Sequence, residues 1–141
     1  MDIEQVAVVG AGTMGHGIAQ VCATTGYQVT LVDIDPDQLE SALGSIKRSV
    51  EKLHSKGRLT DEQRNSGLEN VATSTELETA ADADFVVEAV VETLAVKKEI
   101  FTQLDQLTRP DVILASNTSS ISLTELGATT NRPEQVIGMH F

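Results

Sequence analysis

The residues of this sequence that are best suited to chemistry lie towards its C-terminal end. They are Asn117, Ser119 and His140. A histidine side chain has an unperturbed pKa of about 6.5 and is a natural proton carrier near neutral pH. Asn117 and Ser119 offer neutral hydrogen bonds that suit a carboxamide or a substrate oxygen. We therefore expect His140 to exchange a proton with a substrate hydroxyl. The alternative for His140 is a partly ordered terminal residue.

A glycine-rich segment near the N-terminus has the spacing of a dinucleotide-binding loop. It follows the apolar run at residues 6–9 and reads Gly10-Ala11-Gly12-Thr13-Met14-Gly15. Gly10 permits a tight turn, Gly12 lets the backbone approach a pyrophosphate, and Gly15 lets the next helix pack closely on the strand. The helix that begins there points free N–H groups at the phosphates. The alternative is a plain βαβ unit whose glycines only make a turn.

An acidic residue at the end of the second predicted strand, Asp33, indicates which nucleotide is bound. Its carboxylate suits the ribose hydroxyls of adenosine and repels a 2′-phosphate. No Arg or Lys follows, because Ile34 and Asp35 come next. Asp35-Pro36 is the expected start of the next helix, which leaves Asp33 free for the nucleotide. The sequence therefore favours NAD over NADP, and a nicotinamide ring would take a hydride while His140 takes the proton.

Composition restricts the function further. A length of 141 residues suffices for one domain with a core, and 40% hydrophobic content is typical of a globular protein. A net charge of -11 with 3% aromatic residues disfavours nucleic-acid partners. No apolar run is long enough to span a membrane and no signal peptide is evident, so we expect a cytoplasmic protein. The single Cys22 is expected in the core, and no metal site is predicted.

Alternating strand and helix patterns predict a doubly wound parallel sheet of the Rossmann type. The predicted strands span residues 6–9, 29–32, 71–74, 84–92, 112–115 and 136–139. A helical hairpin is inserted after the second strand, and its first helix spans residues 36–55. The first helix of the chain has a predicted apolar face made of Met14, Ile18, Val21, Cys22 and Thr25.

Ligands of such sheets bind beyond the C-terminal ends of the strands. Six candidate residues fall at those ends: Gly12, Asp33, Glu92, Asn117, Ser119 and His140. This convergence is stronger evidence for one common site than any single motif.

Basic residues concentrate on the predicted hairpin: Lys47, Arg48, Lys52, Lys56 and Arg58. One interpretation is a solvated helix face with ion pairs such as Glu51 to Lys47. The other is a binding surface for a phosphate-bearing substrate.

Four segments resemble a known family: the glycine segment with its extension His16-Gly17-Ile18-Ala19-Gln20, then Val87-Glu88-Ala89-Val90-Val91-Glu92, then Ala115-Ser116-Asn117-Thr118-Ser119-Ser120, then Gly138-Met139-His140-Phe141. They resemble the N-terminal NAD-binding domain of the 3-hydroxyacyl-CoA dehydrogenases, in particular the 3-hydroxybutyryl-CoA type. The serine-rich turn and the terminal histidine are more specific than the glycine loop.

The resemblance implies an activity and roles by position. The activity is NAD-dependent oxidation of (3S)-3-hydroxyacyl-CoA to 3-oxoacyl-CoA, or the reverse. His140 would be the catalytic acid/base, Ser119 would contact both NAD and the reacting oxygen, and Asn117 would position the nicotinamide and the substrate. Glu92 and Lys97 would line the nicotinamide side. Ser49 and Lys56 would contact coenzyme A. The implied NAD-binding residues are Gly10, Gly12, Thr13, Met14, Gly15, Asp33, Glu92, Lys97, Asn117 and Ser119.

The sequence departs from the family by ending at Phe141. Family members continue into a glutamate that pairs with the histidine and into a helical domain that covers the substrate and forms most of a homodimer interface. We therefore expect residues 1–141 to be the NAD-binding domain alone. It should bind NAD and turn over substrate poorly or not at all.

Two alternatives stay open. One is an NAD(H)-binding sensory or regulatory module, although a sensor needs neither Ser119 nor His140. The other is a different NAD-linked dehydrogenase, which would share the glycine loop but would not be expected to pair it with the serine-rich turn and the terminal histidine.

Overall fold

The computed structural model describes residues 2–90, 93–118 and 120–139. Strands and helices alternate along the chain. In order they are β1 (Gln5–Val9), α1 (Thr13–Thr25), β2 (Gln28–Val32), α2 (Pro36–Ser55), α3 (Asp61–Glu69), β3 (Val71–Ser74), β4 (Phe85–Glu88), α4 (Leu94–Leu107), β5 (Ile113–Ser116), α5 (Ser120–Ala128) and β6 (Val136–Gly138), with short 3-10 helices at Leu77–Asp82 and Pro133–Gln135.

The strands form one parallel sheet in the order β3-β2-β1-β4-β5-β6, which confirms the predicted doubly wound architecture. Side chains of β1 alternate between two cores: Val6 and Val8 pack with α1 and α2, whereas Ala7 and Val9 pack with α4 and α5. The strand order reverses between β1 and β4, where a crevice for ligands opens in this class of sheet.

Local signals in the sequence fix the helix ends, and the start at Asp35-Pro36 is the one predicted above. Asp35 accepts a hydrogen bond from the Asp37 N–H at 3.0 Å and begins α2, with Pro36 in the first turn. Gly26 ends α1 in the left-handed conformation at φ 116°. Thr60 begins α3 with a reciprocal capping box. The predicted hairpin after β2 is therefore confirmed.

The buried face of α1 differs from the prediction. Met14 is 42% exposed and Val21 is 53% exposed, so only Ile18 of the predicted large apolar side chains is fully buried. The buried positions are Gly15, Ile18, Ala19 and Ala23. Small residues four apart let the helix approach the sheet closely, and that contact overrides the pattern of large apolar side chains. Cys22, expected in the core, is half-buried and packs against it, and its burial raises the pKa of the thiol.

Strand β4 is shorter than the predicted strand at 84–92. It ends at Glu88, and the last bond to β1 joins the Ala89 N–H to the Val9 carbonyl at 2.8 Å. The next N–H, of Val90, binds the Glu88 carboxylate, so the backbone leaves the ladder there. Residues 91 and 92 lie outside the described part of the chain.

Two arginines, Arg109 and Arg132, form bonds at the edge of the sheet opposite to the predicted site. Arg109 binds Asp84. Asp84 accepts the N–H groups of Gln5 and Glu4, each at 2.9 Å, and Arg109 at 2.7 Å. These bonds lower the pKa of Asp84 from 3.8 to about 2.

Arg132 is 5% exposed. Its Nε binds the Asp105 carboxylate at 2.8 Å, and its two terminal nitrogens bind the carbonyls of Arg109, Val112, Asp105 and Thr108. All five N–H donors of the guanidinium therefore have acceptors.

Within the described residues, no helix is both long and apolar enough to cross a bilayer. The same residues contain no cluster of side chains that would hold a metal ion.

Candidate cofactor site

Two glycines of the loop are required by contacts within the protein. Gly10 adopts φ 107°, its N–H binds the Val32 carbonyl at 2.7 Å, and a Cβ here would lie 2.7 Å from the Ala89 carbonyl oxygen. A Cβ on Gly15 would overlap the carbonyl oxygen of Gly10. The predicted turn and the predicted close helix packing are therefore both observed.

No contact among the described residues requires a glycine at position 12. Its backbone is extended, at φ −70° and ψ −167°, and a Cβ would meet only the Gln38 amide nitrogen at an ordinary 3.6 Å. The first turn of α1 begins here with exposed Thr13 and Met14 and without a side-chain cap. Free N–H groups beside an uncovered backbone fit a pyrophosphate, which explains a glycine that the fold itself does not need.

Asp33 lies directly after β2 and is half-buried. Asp35 begins α2 and Asp33 does not, as predicted, but the Asp33 carboxylate has bonds within the protein. One oxygen accepts the Ala11 N–H and the other accepts the Asp35 N–H, both at 2.9 Å. Each oxygen has a second lone pair that suits a ribose hydroxyl. Asp33 thus connects the end of β2 to the glycine loop while remaining able to bind a nucleotide.

A buried polar cluster, which sequence reasoning missed, lies beyond β4. Glu88 is 0% exposed, and its carboxylate accepts the Val90 N–H at 2.7 Å, the Lys97 ammonium at 2.6 Å and the Ser116 hydroxyl at 2.5 Å. Lys97 is 1% exposed and also donates to the Val90 carbonyl at 3.3 Å. Lys97, predicted to line the nicotinamide side, is therefore a buried partner of Glu88.

The turn after β5 lies against this cluster. The Asn117 N–H binds the Glu88 carbonyl at 2.9 Å, and the Met139 N–H binds the Ser116 carbonyl at 3.0 Å. The carboxyl ends of β4, β5 and β6 are thus held side by side. The predicted residues Glu92, Ser119 and His140 lie outside the described residues, so their roles stay predictions.

Residues 5–141 match the family described as 3-hydroxyacyl-CoA dehydrogenase, NAD binding domain. The chain is 45% identical over 141 residues to a probable 3-hydroxybutyryl-CoA dehydrogenase of Bacillus subtilis, which covers 100% of this chain and 49% of that protein. The chain belongs to the 3-hydroxyacyl-CoA dehydrogenase family. Its cofactor is NAD, as the glycine loop and Asp33 predict.

Solved structures of the family have the same fold. A 3-hydroxybutyryl-CoA dehydrogenase from Escherichia coli K12 superposes with a TM-score of 0.94 at 41% identity, covering 100% of this chain and 30% of that one. An (S)-3-hydroxybutyryl-CoA dehydrogenase from Ralstonia eutropha gives 0.92 at 41% identity, covering 99% and 50%. The chain spans about half or less of the length of the relatives that it matches.

The basic hairpin of this dehydrogenase domain is exposed. The five cations between residues 47 and 58 are exposed, and none of them forms an ion pair with a described carboxylate: Lys47, Arg48, Lys52, Lys56 and Arg58. Glu51 does not pair with Lys47. It binds Arg64 of α3 through both oxygens, at 2.8 and 3.2 Å. Ser49 accepts the Gln20 side-chain amide at 2.9 Å. The predicted pair of Glu51 with Lys47 is therefore wrong, whereas the exposure of these cations agrees with both interpretations of this face.

Proposed function

We propose that the chain is the NAD-binding part of an enzyme that oxidises (3S)-3-hydroxyacyl-CoA, with 3-hydroxybutyryl-CoA as the substrate, to 3-oxoacyl-CoA, or runs the reverse reaction. One observation carries this proposal. The glycine loop, Asp33 and Asn117 share one edge of the sheet in a chain of this family.

The proton chemistry belongs to the residues at the ends of β5 and β6. We assign the acid/base role to His140, which follows Met139 directly in the sequence. The role of Ser119 is to hydrogen-bond the reacting oxygen and the cofactor, and that of Asn117 is to orient the nicotinamide and the substrate. Bound NAD supplies a nicotinamide ring that accepts a hydride from the carbon bearing the hydroxyl. Proton removal by a positioned histidine assists that step.

The cofactor would extend across the crevice between β1 and β4. Gly12, Thr13 and Met14 present the start of α1 to its pyrophosphate, and Asp33 accepts the adenosine ribose. We place Glu92, which precedes α4 in the sequence, and Lys97, in the first turn of α4, on the nicotinamide side. Lys97 would act there while bound to Glu88.

The coenzyme A portion of the substrate would bind on the hairpin, at Ser49 and Lys56. The five exposed cations supply the charge that its phosphates require. Ser49 lies about 20 Å along α2 from Pro36 at 1.5 Å per residue, so this surface is separate from the dinucleotide loop.

The remaining parts of the proposal concern the whole protein. We propose that residues 1–141 form one NAD-binding domain that works with a further helical domain, and that the full protein is a homodimer through that domain. Neither nucleic acid nor membrane is a proposed partner, because the net charge is -11 and no helix in the described part of the chain could span a bilayer. The single cysteine supports a cytoplasmic location.

A second candidate function is a sensory or regulatory module that binds NAD(H) without catalysis. It needs only the glycine loop and Asp33. The exposed basic hairpin favours the enzyme, because a sensor of NAD(H) has no use for a second phosphate-binding surface.

Calorimetric titration separates these candidates. The chain is titrated with NADH, and the NADH-saturated chain is then titrated with acetoacetyl-CoA, with acetate as the control for the thioester. Heat in both steps supports the dehydrogenase. Heat from NADH alone supports the sensory module, and no heat from NADH in a folded chain contradicts both.

A further inference from the structure

Glu88 and its partners form the buried polar cluster described above: Glu88, Lys97, Ser116 and the backbone of Val90. A buried ion pair contributes little to stability compared with apolar packing, because both charges lose their hydration. This ion pair lies at the end of β4, where Glu88 is 0% and Lys97 is 1% exposed. A gain in the stability of the fold does not explain why it is buried there.

The bonds of Glu88 join two separate loops. On one side, its carboxylate and Lys97 hold both the N–H and the carbonyl of Val90, in the connection from β4 to α4. On the other side, its carboxylate binds Ser116 and its carbonyl binds the Asn117 N–H, in the turn after β5. The Glu88 side chain thus bonds to both loops, beside the backbone ladder between β4 and β5.

The first loop also contacts the phosphate-binding turn. The space beside Gly10 is occupied by the Ala89 carbonyl, which would lie 2.7 Å from a Cβ at that glycine. The Ala89 N–H binds the Val9 carbonyl at 2.8 Å, so the ladder with β1 fixes this backbone without the Glu88 carboxylate.

We propose that Glu88 is a positioning residue for the nicotinamide end of the bound dinucleotide. It bonds to both the β4–α4 connection and the turn after β5, and it pairs with the Lys97 ammonium. Because the carboxylate acts on these two loops and not on Asp33, the adenosine end is independent of it. This inference rests on the proposed function only in placing the nicotinamide at this edge of the sheet.

The test compares NADH with ADP-ribose, which lacks the nicotinamide. In Glu88→Gln the charge that holds Lys97 is lost while the side-chain size is kept. We expect the affinity for NADH to fall about tenfold, or 1.4 kcal/mol. The affinity for ADP-ribose should stay within about twofold, since the contacts of that half are intact. The fluorescence increase of bound NADH should also shrink, because it reports the environment of the nicotinamide.

Two further variants control the experiment. Glu125→Gln removes a surface Glu–Lys pair between α5 and α4, because Glu125 binds Lys98, the neighbour of Lys97, at 3.1 Å; it should change neither affinity. Ser116→Ala removes one hydroxyl donor and leaves the ion pair, so it keeps the test available if Glu88→Gln does not fold. Ser116→Ala should lower NADH affinity in the same direction by a smaller factor.

The proposal is overturned if NADH and ADP-ribose lose affinity in parallel, which would mean a merely structural cluster, or if neither loses affinity. It is also overturned if the unaltered chain binds both ligands equally. This assay contains no acyl-CoA. Its outcome is therefore independent of whether the chain binds the proposed acyl-CoA substrate.

Discussion

Gly12 is the glycine that this domain needs for its ligand and not for its fold. Replacement by alanine is compatible with the extended backbone, and the new Cβ would meet only Gln38 at 3.6 Å. A glycine-to-alanine change at a compatible position stabilises a protein by about 0.4–1 kcal/mol through the unfolded chain. Gly12 is also the N-cap of α1, where alanine is less favourable than glycine, so for Gly12→Ala we expect an unfolding free energy within about 1 kcal/mol of that of the unaltered chain.

Binding should change by more than stability does. The added methyl group occupies the surface that a pyrophosphate must approach, and the loss of one hydrogen bond to a charged group costs about 1.5–3 kcal/mol. The affinity for NADH should then fall by about ten- to a hundredfold. Urea unfolding measures the first quantity and calorimetric titration with NADH measures the second.

Two neighbouring glycines supply matched controls. Gly17→Ala lies inside α1 with no atom near the new Cβ, so it should raise stability by about 0.5–1 kcal/mol and leave NADH affinity unchanged. Gly15→Ala would overlap the Gly10 carbonyl and should lower stability and binding together. Unchanged NADH affinity in Gly12→Ala would refute the assignment, and so would a loss of affinity that merely follows a loss of stability.

Four other perturbations have definite expected outcomes. Asp33→Ala should weaken NADH binding and reduce the preference over NADPH in parallel titrations; unchanged selectivity would move the ribose site elsewhere. Lys56→Glu should weaken coenzyme A binding without affecting NADH, and equal losses would indicate misfolding. Arg132→Met leaves Asp105 buried without its cation and should cost about 3–5 kcal/mol of unfolding free energy in urea, whereas a neutral result would contradict the assigned contacts. Asp84→Asn should be less stable at neutral pH. Because the folded pKa of Asp84 is lowered from 3.8 to about 2, the advantage of the unaltered chain should shrink as the pH falls from 4 to 2 in acid unfolding, and a constant difference would count against this pKa.

The parts of the fold that sequence predicts well are those fixed by local chemistry. Asp35-Pro36, Gly26 and Thr60 each act within one helical turn, and the helix bounds around them follow from those residues. Asp33 and the glycine loop are also recognisable, because their spacing reflects the ligand. The prediction for the apolar face of α1 was wrong, because the close approach of the helix to the sheet determines which side chains are buried. That approach depends on the contact between Gly15 and Gly10.

The site beyond β4 was not predictable from local pattern. Glu88 lies inside the predicted strand at residues 84–92, and that pattern does not indicate which groups bind its carboxylate. Its burial depends on Lys97 and Ser116, which are 9 and 28 residues away. Arg132 is similar, since its acceptors are 20–27 residues away. Pairings at such separations arise only from the folded topology.

The bond between Asp33 and Ala11 sets a condition for engineering this domain towards NADP. A substitution that merely removes the carboxylate also removes the acceptor of the Ala11 N–H at 2.9 Å and would loosen the loop for either cofactor. A redesigned residue 33 should therefore keep an acceptor, as Asn does. The cation for a 2′-phosphate is better introduced at the neighbouring Ile34, whose side chain is 91% exposed and can be exchanged without loss of packing.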